Sequence, residues 1–160
     1  MILKDNKYIL NGVLIFSIIY LSIAYFIQYV LGHKPCNLCL IQRIPYIASL
    51  MLLSLIFITN KFEKTIAIIV LLFFLFGAIV SFYHFGIEQG FFSESLVCDL
   101  GNKTNLSKEQ LLKQLENATI VSCKDVTFRV LGFSLATINT IISLVLSAIM
   151  IKVIKNYDKK

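Results

Sequence analysis

The chain has 160 residues, of which 58% are apolar and only 15% charged, with a net charge of +6. Soluble domains carry about 45–50% apolar and about 25% charged residues, so the composition excludes a soluble globular protein and points to one embedded in a bilayer. The positive charge is scattered, with no basic run interleaved with aromatics, which speaks against a nucleic-acid partner; lysines at the flanks of membrane spans account for it.

Residues Met1 to Tyr8 are a short polar start containing Lys4 and Lys7. From Ile9 to Leu31 the chain is almost wholly apolar. That is about 20 residues, enough to cross about 30 Å of hydrocarbon as a helix. The run is too long for a signal h-region and no small-residue cleavage site follows it, so it is expected to stay as the first membrane helix, over 9–31. Gly32-His33-Lys34-Pro35 ends it. Pro35 cannot continue one helix but suits the first turn of the next, so a second helix is predicted over 36–59. Pro45 lies inside it and removes one backbone hydrogen bond near Ile41, which predicts a kink.

Asn60 to Lys64 is a short loop, and a third helix is predicted over 65–85. It ends in Tyr83-His84, before Gly86, Glu88, Gln89 and Gly90. A long loop then spans 86–130. Within it, Leu106, Leu111, Leu112 and Leu115 with the capping box Ser107/Gln110 predict a short amphipathic helix on the membrane surface. A fourth helix is predicted over 131–154, followed by a polar tail. The expected fold is an all-α membrane protein, a four-helix transmembrane bundle in one domain over 1–160.

Four spans put both termini on one side. Lys4, Lys7, Lys61, Lys64, Lys152, Lys155, Lys159 and Lys160 lie on that side, on short segments. They are denser per residue than Lys34, Arg43, Lys103, Lys108, Lys113, Lys124 and Arg129 opposite. The positive-inside rule then puts the termini in the cytoplasm. All four cysteines consequently face the outer, oxidising side.

The chemistry concentrates between Lys34 and Pro45. Cys36-Asn37-Leu38-Cys39 is a C-x-x-C, a spacing that makes an easily exchanged disulfide and often lowers one thiol's pKa. Unpaired N–H groups in an opening helical turn favour a thiolate there. If residues 39–43 are helical, Arg43 lies one turn from Cys39 on the same face. It is a permanent cation at membrane depth, suited to a thiolate or a cofactor oxyanion; the plainer alternative is that it snorkels to the interface. Cys98 and Cys123 form a second set. Closing their loop would contribute about 3–4 kcal/mol in the chain-entropy model, so a purely structural disulfide is an alternative for that pair. Zinc would call for a second C-x-x-C or paired histidines; His33 and His84 stand apart, so no metal site is read. His84 pairs with Glu88 only if the third helix continues past Gly86.

With these residues in hand, the chain resembles the disulfide bond formation protein B (DsbB) family. The resemblance rests on Lys34-Pro35-Cys36-x-x-Cys39-x-x-x-Arg43, on Tyr83-His84-x-Gly86-x-Glu88, on the two-cysteine loop and on Leu131-Gly132-Phe133-Ser134-Leu135. One departure is Ile138-Asn139, where relatives often carry Trp-Asn. The resemblance implies a multi-pass protein of the bacterial inner membrane with periplasmic cysteines. It implies an enzyme that reoxidises a soluble periplasmic thioredoxin-fold thiol oxidase (DsbA-like) and passes the electrons to a membrane quinone, ubiquinone or menaquinone. Carried across, Cys98 forms the mixed disulfide with that partner, and Cys123 is its relay mate and transiently bonds Cys36. Cys39 is the thiolate facing the quinone, Arg43 stabilises the developing charge, and His84 is a secondary quinone-site residue. Two alternatives stand beside this reading. One is a vitamin K epoxide reductase-like protein, although there the C-x-x-C follows the loop pair and here it precedes it. The other is a non-enzymatic membrane subunit with structural disulfides.

Overall fold

The computed structural model describes residues 2–59, 62–93, 98, 122–124, 129–130 and 132–158. The predicted surface helix at Leu106–Leu115, with its capping box, lies outside them. Helix α1 runs over Ile2–Tyr29, α2 over Asn37–Ile41, α3 over Ile44–Thr59, α4 over Glu63–Glu88 and α5 over Leu135–Asp158. Taking α2 and α3 as one segment, four stretches are long and apolar enough to cross a membrane: Asn6–Tyr29, Asn37–Thr59, Glu63–Glu88 and Leu135–Asp158. The fold is therefore the expected all-helical one. α4 packs along α5 and α3, and α1 closes against α3 and α5.

The bundle buries one face of each helix. Leu10 and Val13 of α1, Tyr46, Leu53 and Ile56 of α3, Val70 and Phe74 of α4 and Met150 and Val153 of α5 form one core. The outer faces carry exposed Ile19, Met51, Leu72, Ile79 and Leu144. In lipid such side chains lose nothing by facing outward, so close packing rather than burial decides which residues meet. At Gly77 α4 comes close to the start of α3. A Cβ there would stand 3.1 Å from the Pro45 ring and 3.5 Å from Ser143 Oγ of α5.

Several boundaries differ from the sequence expectation, each for a physical reason. α1 begins at Ile2, well before the apolar run. The polar start is held by the bundle: Asn6 is buried and accepts from Asn156 at 3.1 Å, and Lys7 pairs with Glu63 at 3.6 Å. Tyr157 also donates to Glu63, and Lys64 pairs with Asp158, so this end of α1, α4 and α5 is tied by polar side chains. The second span is disturbed at the expected place, with Gln42 keeping right-handed helical geometry. Pro45 has no N–H to give Ile41, and the chain makes a tight turn at Gln42–Arg43, with Arg43 N–H bonded to the Leu40 carbonyl, before restarting at Ile44.

The third span runs on to Glu88 instead of stopping near Phe85. Gly86 does not end the helix. The stop is Gly90, at φ +78°. Its N–H bonds the Ile87 carbonyl at 3.0 Å and the Phe91 N–H bonds the Gly86 carbonyl at 2.8 Å. This is the paired bonding of a Schellman cap. Gly86 is instead a contact surface, since a Cβ there would run into the Phe92 ring. The last span starts at Leu135, later than predicted. Arg129–Val130 and Phe133–Ser134 precede it as a two-residue antiparallel pair, turned by Gly132 at φ +87°. Ser134 then caps α5 by accepting from the Thr137 N–H at 3.2 Å.

Candidate functional site

Cys36 is the residue before α2, and its sulfur accepts from the Cys39 backbone N–H at 3.3 Å. The two sulfurs are 2.8 Å apart and unbonded to each other. Cys98 and Cys123 are joined in a disulfide, their Cα atoms 5.9 Å apart. The pairs are neighbours: Cys36, Leu38, Ile87, Cys98 and Cys123 form one buried cluster, with Cys39 packed half-buried against it. The break at Pro35 and the five-residue α2 turn the dithiol toward the end of α4, where this cluster lies.

Cys36 collects the donors. Besides Cys39, the His84 Nε2 lies 3.6 Å from its sulfur. The Cys36 thiol is held down at about 5, chiefly by its hydrogen bond with Cys39 and then by His84, while burial opposes. The backbone N–H of Cys39 and the neighbouring His84 ring thus favour a thiolate at Cys36.

Cys39 opens the other way. It lines a cleft of about 100 Å³ together with Tyr20, Ile23, Ile27, Gln28 and Arg43. Arg43 follows Cys39 through the tightened Gln42–Arg43 turn, and both border this cleft. Its guanidinium donates to Gln28 Oε1 at 2.5 Å and lies 5.0 Å over the Tyr25 ring. Those contacts hold the cation within the bundle's edge instead of releasing it to snorkel.

His84 does not border the cleft. It is buried against the dithiol, with Glu88 3.7 Å away on the next turn and the Cys123 backbone hydrogen-bonded to the ring. The pairing with Glu88 exists because α4 passes through Gly86. Its other nitrogen, Nδ1, meets Gln42 Nε2 at 2.9 Å. Gln42 in turn meets Asn139, which also contacts Ser81, Tyr20 and Tyr46. Gln42, Ser81 and Asn139 were not singled out in the sequence. A polar side chain inside an apolar span is costly and tends to serve a site, and that signal was available at each of them.

Cys36, Cys39 and His84 bring three ligand atoms within 4.8 Å of one another. Two thiolates on one tetrahedral zinc stand about 3.7 Å apart, given Zn–S bonds of about 2.3 Å. At 2.8 Å these sulfurs are placed to close on each other instead. The arrangement can pass a disulfide between two pairs at the membrane edge.

The model of the family described as "Disulfide bond formation protein DsbB" matches residues 6–153. The chain is also 31% identical over 146 residues to the uncharacterized protein RP370 of Rickettsia prowazekii (strain Madrid E), covering 89% of this chain and 85% of that one. No solved structure matches it significantly. Two cysteine pairs in one buried cluster at the end of four membrane spans suit an oxidoreductase of disulfide formation, and the match over nearly the whole chain agrees: the chain belongs to the DsbB family.

Proposed function

We propose that this protein reoxidises a soluble periplasmic thioredoxin-fold thiol oxidase at the outer face of the bacterial inner membrane and passes the two electrons to a membrane quinone. The observation that carries this reading is a division of place. The two pairs share one buried cluster, while Cys39 also borders the Arg43 cleft.

Sulfur exchange runs inward. A thiolate of the partner bonds Cys98 as the Cys98–Cys123 bond breaks and Cys123 leaves as thiolate. The partner's second thiolate displaces Cys98, so the partner departs oxidised and the loop pair is left as a dithiol. Cys123 then attacks Cys36 of an oxidised inner pair, releasing Cys39 at the cleft. Cys98 displaces Cys36 from Cys123, which restores the loop disulfide and leaves the inner dithiol holding two electrons. A Cys36 thiol held near 5 leaves readily as thiolate in that last step. A closed loop pair beside a reduced inner pair is the state this exchange leaves behind.

The cleft fits a quinone ring. Ile23, Ala24, Ile27 and Leu135 supply an apolar wall, Arg43 a cation with N–H donors, and Cys39 the sulfur. For a quinone held there, the lipid-facing side of α1, where Ile19, Ile23 and Phe26 are exposed, would offer an apolar surface to its tail. When bound, the quinone supplies a two-electron, two-proton acceptor. Arg43 holds its charge where an oxygen gaining electrons needs it.

The test is quinone reduction by the purified protein in lipid, with and without a reduced thioredoxin-fold donor. Reduction that depends on the donor and is lost in Cys39→Ser is expected. Donor-driven opening of the loop disulfide with no quinone reduction would sink the quinone half of the reading.

A further inference from the structure

We infer that Asn139 is a positioning residue for the dithiol: through Gln42 it fixes the His84 imidazole with its proton on Nε2, the nitrogen facing Cys36. The inference rests on the dithiol of the reading above but on neither the quinone nor the partner.

Proton counting carries it. Ser81 Oγ donates to the Gly77 carbonyl at 2.6 Å. A carbonyl has no proton to return, so the one hydroxyl proton of Ser81 is spent there. Its 2.6 Å contact with Asn139 must then be accepted, and the Asn139 atom facing it must be Nδ2. This settles the orientation of the amide. Oδ1 is left to accept from the Tyr20 and Tyr46 hydroxyls at 2.8 and 2.6 Å, which fills both its lone pairs.

The second Nδ2 proton of Asn139 points at Gln42, 3.0 Å away. The facing Gln42 atom must accept and is Oε1, so Gln42 Nε2 is the atom turned to His84 Nδ1 at 2.9 Å. A nitrogen that accepts a hydrogen bond carries no proton of its own. The neutral ring therefore keeps its proton on Nε2, which lies 3.6 Å from the Cys36 sulfur. Glu88 and the Cys123 backbone also face the ring, and Arg129 acts on Glu88 from the strand before α5. Ser81, Gln42, His84, Asn139 and Tyr46 are all buried, and Tyr20 is half-buried at the edge of the cleft. The network draws polar groups from all four spans: Tyr20, Gln42 and Tyr46, Ser81 and His84, and Asn139.

The consequence is chemical. With Nε2–H toward sulfur, His84 stabilises a Cys36 thiolate as a donor. In the opposite tautomer a bare lone pair would face that thiolate and disfavour it. Reading Asn139 as a spacer predicts no such linkage.

The first test needs no variant. The chain holds two histidines, so 15N-histidine labelling of the reduced protein in lipid nanodiscs gives two rings, assigned by His33→Asn. The Nε2–H tautomer at His84 is expected, and the Nδ1–H tautomer or an exchanging mixture would overturn the inference. The second test is the pH profile of Cys36 alkylation, resolved by mass spectrometry in the reduced full chain without quinone or partner. Asn139→Leu should move its midpoint up by about one pH unit, and Gln42→Leu, which cuts the same link nearer the ring, should do likewise. In a His84→Phe background Asn139→Leu should add nothing further. A folded Asn139→Leu protein with the wild-type profile, or an equal shift without His84, would assign Asn139 to packing alone. Failure of quinone reduction would leave these outcomes untouched.

Discussion

The Cys36 sulfur accepts from the backbone N–H of Cys39 at 3.3 Å and lies 2.8 Å from the Cys39 sulfur. A five-residue helix is thus built around one sulfur. Its depressed thiol, near 5, makes a pH prediction with a fixed sign. A lowered pKa keeps the thiolate dominant at every pH above it. Alkylation of Cys36 in the reduced protein should therefore be nearly flat from neutral pH down to about pH 6 and halve near pH 5, where an ordinary cysteine falls off below about pH 8.5. His84→Gln should shift the midpoint upward. A Cys36 profile centred near that of a free thiol would remove the basis for treating it as the leaving sulfur.

Gly77 is a place where an added side chain would press on the bundle core. The Pro45 ring, 3.1 Å from where a Cβ would be, is rigid and fully buried. Gly77→Val should destabilise the protein by about 1–3 kcal/mol, read as a lower unfolding temperature in detergent. Because Pro45 restarts the chain just after the Gln42–Arg43 turn, the same variant should also weaken the Arg43 cleft. A Gly77→Val protein as stable as the parent would show that α3 and α4 part easily here.

The four spans were legible because a bilayer demands about 20 apolar residues in a row, and the dithiol because C-x-x-C is a short local pattern. What was missed was tertiary or a choice between equivalent local signals. Gly86 and Gly90 both offer a helix stop, and only the Phe92 ring packed on Gly86 shows which one is spared. Arg43 was expected beside Cys39 through helical spacing, and the two border one cleft across the tightened turn at Gln42–Arg43. Asn139 was noted only beside the departure at Ile138; its link to Cys36, by way of Gln42 and His84, is tertiary.

The two pairs should be separable. Changing Cys98 and Cys123 together to Ser should abolish oxidation of the protein partner. A small dithiol should still drive quinone reduction through Cys36 and Cys39. Both activities should be assayed on the same folded preparation, where loss of the small-dithiol reaction as well would argue against a two-pair relay.

Sidedness has its own test, prompted by the density of lysines near the termini. After reduction, a membrane-impermeant thiol reagent added outside intact cells should label Cys98 or Cys123. Both sit in the loop-facing cluster and are buried while their disulfide is closed, so reduction must come first. Labelling seen only once the cytoplasmic side is opened would reverse the orientation.

Arg43 should act on the electron-accepting end of the relay. It borders the cleft with Cys39, and its contacts with Gln28 and Tyr25 hold the guanidinium in place. In a poorly solvated cleft a fixed cation stabilises developing negative charge far better than in water. Lys would keep a charge but lose the planar donor fork and its stacking on Tyr25. Arg43→Lys should accordingly be partly active and Arg43→Ala worse, by about 10²-fold or more in kcat/KM for quinone. Gln28→Leu should fall between the parent and Arg43→Lys, because it removes the bond that orients the guanidinium and leaves the charge. Exchange at Cys98 should stay near normal in all three, since that sulfur belongs to the outer cluster. The measurement is quinone-concentration kinetics beside a partner-exchange assay. Unchanged quinone kinetics in a folded Arg43→Ala protein would return Arg43 to the role of an interfacial anchor.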